Sequence, residues 1–418
     1  MIMTLISIIL QVALGLFAQQ PNLAAGNLSG YQPLDTVVTP APAGYKPFYI
    51  SHIARHGSRF ELNGKPFKVI EDLDKYANAG ELTPEGLELL QNLRTLQGMA
   101  EGNYGKLTAV GAEEHRGICE RMMNNYPEVF NNPKRTNVET YSTKSGRVLK
   151  SRESFIEQMK DNAPGLNIVK YHETKDKNDR ESVEVRGYDI PKDVEAAGKK
   201  DVKHYSKYEK ALRSQYDYNA FAAKIFVHPD SISTKDLGSI ARNCYNALKN
   251  GVVNNIESMN LGRYYTPSEL YALWLVGDFW WAKLMRYPDY RYYRVDWSGK
   301  GFVKCLIEDA DEAVGKRSHT AATLRFSHDT YLMPIMCTFP LEEVYLDCDP
   351  MEIPERFQNF RIICPACNIQ MVFYRNNRNK VLVKFLLNEK ETRIHGFEPD
   401  NACFYEWPRL RAYLKSII

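Results

Sequence analysis

Two clusters in the chain carry side chains suited to handling an anion and a proton. The first is Arg55-His56-Gly57-Ser58-Arg59, which closes the apolar run Phe48 to Ala54. Glycine lets the backbone turn sharply and lets a ligand come close. Each guanidinium presents a planar fork that pairs two oxygens of one phosphate. Histidine between two such cations is disfavoured as imidazolium, so a ring nitrogen stays unprotonated and nucleophilic. The second cluster is His328-Asp329, which closes the run Ala321 to Ser327. His328 can donate to a phosphate oxygen, and Asp329 can hold the proton that a leaving alkoxide needs. Arg147 is a third candidate cation. It follows NVETYS and opens a helical stretch, where backbone amides favour anions. Singly, each has an ordinary alternative: a surface turn, a helix-capping Asp, a surface arginine. Together the two strand ends would supply complementary halves of one reaction, with Arg147 as a third arginine on the same phosphate.

Side chains this far apart need a scaffold that brings strand ends together. Phe48 to Ala54, Asn137 to Ser142, AATLRFS and the pair NIQMVFYR and KVLVKFLLNE read as strands, the last two forming a hairpin across NNRN. Helices alternate with them. LTPEGLELLQNLRTL has Thr83 as N-cap, Pro84 at the first helical position, and Leu87, Leu90 and Leu93 spaced for one face. LTAVGAEEHRGICERM opens in the same way. From about 160 to 294 the chain turns charged, Tyr-rich and mostly helical, with few runs that read as strands; Trp274, Trp280 and Trp281 read there as helix-packing core. The pattern implies an α/β domain built from residues 19–159 and 295–418, interrupted by an α-helical insertion domain at 160–294. In such sheets ligands sit beyond the carboxyl ends of the strands.

The 418 residues carry a net charge of only +3, so no general polyanion-binding surface is implied, and a basic site must be built locally. No nucleic-acid-binding motif is present. The apolar run Leu5 to Phe17 is short for a membrane span and fits a signal-peptide core, residues 1–18, with cleavage after Ala18. Against this, no basic residue precedes Lys46; a buried N-terminal helix is the alternative. The leader implies an exported protein, periplasmic or secreted, with no membrane span once mature. CPAC is a lone CxxC at Cys364 and Cys367, better read as a bridge or as buried thiols beside a strand than as a redox or zinc motif. His52, His115, His172, His204, His228, His319 and His395 have no partner motif and read as structural or surface residues. No metal-ligand cluster is visible, and no cofactor is expected.

RHGSR after a buried strand, an arginine after the next strand, and HD late in the chain resemble the histidine acid phosphatase family. That clade of the histidine phosphatase superfamily includes phytases and multiple inositol-polyphosphate phosphatases. Gly105 to Gly111, the texture after Arg147 and VFYR…VKFLLNEKE are also similar, the last pointing to the inositol-polyphosphate branch. The resemblance implies a phosphoglycerate-mutase-like central sheet flanked by helices and a metal-independent phosphomonoesterase. His56 would attack phosphorus, Arg55, Arg59, Arg147 and His328 would hold the non-bridging oxygens, and Asp329 would protonate the leaving oxygen. An acidic optimum follows. The partners implied are small phosphate esters, inositol polyphosphates above all, handled by a monomer. Lys65, Lys68, Lys144 and Arg152 are candidates for the extra charge such substrates demand, with solvated surface as the alternative. Two departures stand out. Glu61 replaces the family's Pro, and Thr330 occupies the position where the inositol-polyphosphate branch has its acid, which leaves Asp329 for that role. A general acid phosphatase with the same site is the alternative, and a non-catalytic phospholigand-binding protein a remote one.

Overall fold

The computed structural model describes residues 14–33, 38–173, 206–285, 296–315 and 317–418. The strands are β1 (Lys46–Arg55), β2 (Asn137–Ser142), β3 (Asn167–Glu173), β4 (Thr320–Ser327), β5 (Asn368–Arg375), β6 (Val381–Leu387), β7 (Lys390–Thr392) and β8 (Phe404–Glu406). The longer helices are α1 (Val69–Asn78), α2 (Pro84–Ala100), α3 (Ala109–Asn125), α4 (Gly146–Asn162), α5 (Thr234–Val253), α6 (Pro267–Met285), α7 (Asp296–Val314), α8 (Asp329–Thr338) and α9 (Trp407–Ser416).

One mixed sheet runs in the order β3-β2-β4-β1-β5-β6-β7, with β8 also on β6. The first four strands are mutually parallel, and β5, β6 and β7 continue the sheet antiparallel. Parallel strands need both faces covered, and β1 accordingly is buried at every position after Lys46. Phe326 of β4 meets Phe155 of α4, His115 of α3 and the β1 residue His52. Its neighbour Arg325 faces the other way, onto Phe302 and Asp309 of α7. Helices therefore flank the sheet on both sides, as the strand–helix alternation implies. The β5–β6 hairpin pairs Arg375 with Val381 across the expected turn.

Several local readings shift. Thr83 does cap α2, accepting from the Gly86 amide at 3.0 Å. Leu87, however, is half exposed, and the buried face is Leu89, Leu90, Leu93 and Leu96. A three-residue spacing drifts off a face of 3.6-residue period; adding the four-residue partner finds the true stripe. Trp274 and Trp281 are buried but Trp280 is exposed. β3 falls inside the stretch read as helical insertion and closes one edge of the sheet. Its sequence, NIVKYHE, mixes polar and charged residues, as an edge strand can. Arg152 is fully buried and donates to Ser142 Oγ at 2.8 Å, so it is a core arginine, neither solvated nor facing a ligand. Lys65, Lys68 and Lys144 are exposed. At the N-terminus, residues 14–19 are helical and Phe17 packs edge-on against Trp274 and Phe360.

His52 and His115 are buried beneath the sheet, with ring pairs to Phe155 and Phe326. Burial lowers both imidazoles from 6.5 to about 3, and the His115 charge adds to the effect on His52. The unfolded chain then binds more protons than the folded one between those values. Stability from these groups is intact above pH 6.5 and is lost as pH falls toward about 3, by up to about 1.4 kcal/mol per pH unit for each group. In thermal unfolding followed from pH 7 to 3.5, His52→Phe should give a shallower fall in Tm than the wild-type protein. Parallel curves would show that His52 does not contribute.

Candidate active site

The carboxyl ends of β1, β4 and β2 lie side by side, because Arg55 pairs with Ser327 and Ser142 with Phe326. The chain leaves each strand into a polar cluster: His56-Gly57-Ser58-Arg59, His328-Asp329, and Thr143 followed by α4. Arg55, His56, Arg59, Arg147, His328 and Asp329 are thereby brought to one crevice. Sequence order alone would not show that β4 slots between β1 and β2. It is this insertion that sets His328 between His56 and Arg147.

Arg55 ends β1 with its side chain 1% exposed. Its guanidinium donates to the carbonyls of Asn27 at 2.7 Å and Ile363 at 2.6 Å, and pairs with Asp329 Oδ2 at 3.0 Å. Its Nε is buried without an acceptor. The CPAC turn forms the wall beside it. The Cys367 carbonyl accepts from the Arg55 amide, and the Ala366 amide donates to the His56 carbonyl. Cys364 and Cys367 are buried thiols whose ionisation burial pushes up, which suits a structural role.

His56 is buried, with Nδ1 2.8 Å from its neighbour's carbonyl, Gly57 O. Nδ1–H must be the donor to that oxygen, so Nε2 carries the lone pair. Burial, then the charges of Arg55, Arg147 and His328, hold this imidazole well below the usual histidine range. Its ring centroid lies 5.4 Å from that of His328.

Arg59 and Arg147 complete the cationic cluster. Burial is the main cause that brings Arg59 down to about 10, opposed first by the Glu61 charge, and it lowers Arg147 too; each is also lowered by Arg55 and raised by Asp329. Three guanidiniums thus share a crevice with the Asp329 carboxylate, and Glu61 lies near enough to Arg59 to act on it as well. Arg147 Nη2 lies 3.4 Å from His328 Nδ1, while His328 Nε2 meets Thr143 Oγ1 at 3.1 Å. Arg147 Nε, like that of Arg55, is buried without an acceptor. A dianion would relieve the repulsion and take these donors. Asp329 opens α8, its Oδ1 accepting from the Thr330 amide at 2.8 Å; Thr330 itself is exposed.

Three supporting residues escaped the sequence reading. Glu114 of α3 accepts from both Ser58 N and Ser58 Oγ, at 2.6 and 2.7 Å, and from the Tyr31 amide at 2.9 Å. Ser151 of α4 accepts from the Gly57 amide at 3.1 Å and donates to the Arg147 carbonyl at 2.9 Å. Asn27 holds Arg55 by its carbonyl and reaches Asp329 with its amide. Glu114 lies one helical turn after Gly111 in the second LT-x-x-G element, the only local hint among the three. A cavity of about 700 Å³ opens beside the clamp, lined by Tyr104, Lys106, Ser145, Arg147 and Lys150.

Fold and site together define the class: the chain belongs to the histidine phosphatase superfamily (branch 2), whose family model matches residues 50–388. Among solved structures, it is similar to the multiple inositol polyphosphate phosphatase of Bifidobacterium longum in complex with phosphate, with a TM-score of 0.67 and 16% identity over 94% of this chain and 97% of that one. It is also similar to the phytase from D. castellii, with a TM-score of 0.70 and 16% identity over 95% of this chain and 85% of that one. The Hafnia alvei phytase in complex with tartrate is more distant, with a TM-score of 0.54 and 12% identity over 90% and 98% of the two chains. At such identities the likeness is one of fold. No curated protein matches the chain in sequence.

The turn after β1 depends on Gly57. A Cβ there would lie 2.3 Å from the Gly111 carbonyl oxygen, which is backbone and cannot step aside. Gly57→Ala should cost about 3 kcal/mol in urea unfolding. Retention of the wild-type midpoint would show that the loop and α3 separate easily.

Proposed function

We propose that this protein is a metal-independent phosphomonoesterase that works through a phosphohistidine, acting on inositol polyphosphates such as phytate. One observation carries the reading: a neutral, buried imidazole with its Nε2 free stands among three guanidiniums, beside a carboxyl group that can supply a proton. Phosphoryl transfer asks chiefly for positioning and charge stabilisation, which this arrangement offers.

In the first step the His56 Nε2 lone pair forms the N–P bond as the ester P–O bond breaks. Asp329, entering as the acid, gives its proton to the leaving oxygen. Arg55, Arg59, Arg147 and His328 hold the three non-bridging oxygens as charge spreads over them. In the second step water gives a proton to Asp329 and its oxygen attacks phosphorus. The N–P bond breaks, leaving inorganic phosphate, a neutral His56 and a protonated Asp329. The depressed imidazole supports activity in acid, since burial and the neighbouring cations disfavour protonation of His56.

The substrate class rests on the cavity beside the clamp. Lys106 and Lys150 are exposed along it and Arg147 reaches into it, so cations extend beyond what one phosphate uses. A ring carrying several phosphates would use them. A general acid phosphatase would share the clamp and leave these lysines idle. Export is supported by the apolar run Leu5 to Phe17 alone.

Phytate incubated with the protein at acidic pH should lose phosphate stepwise, read as lower inositol phosphates by ion-exchange chromatography. Turnover of p-nitrophenyl phosphate with phytate untouched would leave the general phosphatase. His56→Ala should lower kcat by more than about 10³-fold, and Arg147→Ala by about 10²-fold. Activity should survive exhaustive treatment with EDTA. Loss with EDTA and recovery with added metal would overturn the metal-independent mechanism.

A further inference from the structure

The segment from Pro21 to Tyr31 lies across the carboxyl ends of the strands, and it is tied down at several points. Asn22 Oδ1 accepts from the Leu261 amide at 3.0 Å, and the Ala24 carbonyl accepts from Tyr245 Oη at 2.5 Å. Leu23, Ala24, Ala25 and Leu28 are buried. At its far end Tyr31 gives its amide to Glu114 and its hydroxyl to Glu389 at 2.8 Å, while Asn368 Nδ2 donates to that hydroxyl at 3.2 Å. Glu114 is the same carboxylate that holds Ser58, so one group fixes both this strap and the turn carrying His56 and Arg59. Between the anchors the chain turns at Gly26, with φ 65° and ψ −127°, a region costly for a residue with a Cβ. A Cβ at Gly26 would also meet the Asn359 side chain at 3.0 Å. The residue this turn delivers to the crevice is Asn27.

Asn27 touches two groups of the site. Its carbonyl accepts from Arg55 Nη1 at 2.7 Å, and its side-chain amide points at Asp329 Oδ2 at 3.4 Å. The Asp329 carboxylate is therefore held at both oxygens. Oδ1 takes the Thr330 amide, and Oδ2 faces Arg55 and Asn27. Such long contacts in an empty site can tighten when substrate arrives. The chemistry of the amide suits a group that must alternate between acid and carboxylate. Its NH₂ donates to the carboxylate, and half a turn about its last bond offers its oxygen to the carboxylic O–H. An aspartate there could accept from the carboxylic O–H but could not donate to the carboxylate without its own proton.

From this geometry we infer that Asn27 is a positioning residue for the proton donor, carried into the active site by an N-terminal strap that belongs to the catalytic unit. The inference rests on the role proposed for Asp329. Its side chain acts on proton delivery and its backbone on Arg55, so a side-chain substitution separates the two.

The test is the dependence of kcat/KM on the leaving group. This parameter reports the first step, in which an alkyl oxygen needs a proton and p-nitrophenolate does not. The ratio of kcat/KM for glycerol 2-phosphate to that for p-nitrophenyl phosphate is measured for the wild type, Asn27→Ala, Asn27→Asp and Asp329→Asn. Asp329→Asn should lower the ratio by about 10² or more. Asn27→Ala and Asn27→Asp should each lower it by about tenfold, the worth of one hydrogen bond to a charged group. Adding Asn27→Ala to Asp329→Asn should lower it no further. A purely structural role would depress both esters alike and leave the ratio unchanged. If Asp329→Asn shifts the ratio and the Asn27 variants do not, the inference falls and the acid assignment stands. If Asp329→Asn leaves the ratio unchanged, the acid assignment falls and the inference with it.

Discussion

A full positive charge sits at the end of the central strand, and the rest of the site is arranged around it. The Arg55 side chain is 1% exposed. A cation so placed must find acceptors or the fold loses several kcal/mol. Its acceptors come from three separate parts of the chain: the Asn27 carbonyl in the N-terminal strap, the Ile363 carbonyl just before the CPAC turn, and the Asp329 carboxylate at the start of α8. Satisfying one arginine thus brings the strap, the start of α8 and the entry to β5 to the same point. The CPAC turn extends the grip, pairing with the backbone of Arg55 and His56. The sequence reading set redox and zinc roles aside for this motif, and its buried thiols and backbone bonds fit a wall of the site.

The same concentration of charge makes His56 useful. An exposed histidine is partly protonated below neutrality and then has no lone pair at the second nitrogen. Here burial and the neighbouring guanidiniums keep the ring neutral, and the Gly57 carbonyl chooses which nitrogen bears the hydrogen. The cost is a cluster of cations held close together. Hydrogen bonds from elsewhere hold it in place: Glu114 grips Ser58, and Ser151 ties the Gly57 amide to the first turn of α4, which carries Arg147. Donors fixed before the substrate arrives need not be reorganised when charge moves onto the phosphoryl oxygens.

How much of this was legible in the sequence follows from how far each interaction reaches. RHGSR, His328-Asp329 and Arg147 could be read because each sits where a strand ends, and a strand end shows as an apolar run stopped by polar residues. The alternation of strands and helices likewise gave the layered sheet. Asn27, Glu114 and Ser151 could not be read. Asn27 and Asp329 are 302 residues apart, and Glu114 and Ser58 are 56 apart; beyond the LT-x-x-G element before Glu114, no local pattern points to such pairs. Arg152 misled for the opposite reason. Near Arg147 in sequence, it points inward to Ser142, because five residues along a helix is 500°, well round from the face that carries Arg147. β3 was hidden by its polarity, and Leu87 by a spacing that ignores the fourth residue.

Helix phase also accounts for the acid at Asp329 with threonine after it. His328 is the N-cap of α8 and Asp329 its first residue. Each step along the helix turns the side chain by 100°. At position 329 the carboxylate meets Arg55 and lies 15% exposed; at position 330 the side chain is turned out into solvent. An acid at 330 could reach the clamp only if α8 began one residue later or its first turn rotated. The strand end resists both, since the His56 amide bonds to the Ser327 carbonyl and the Thr143 amide to that of Phe326. With β4 pinned between its neighbours up to Ser327, only the next two residues can face the crevice. They are the histidine that reaches toward Arg147 and the aspartate that reaches toward Arg55.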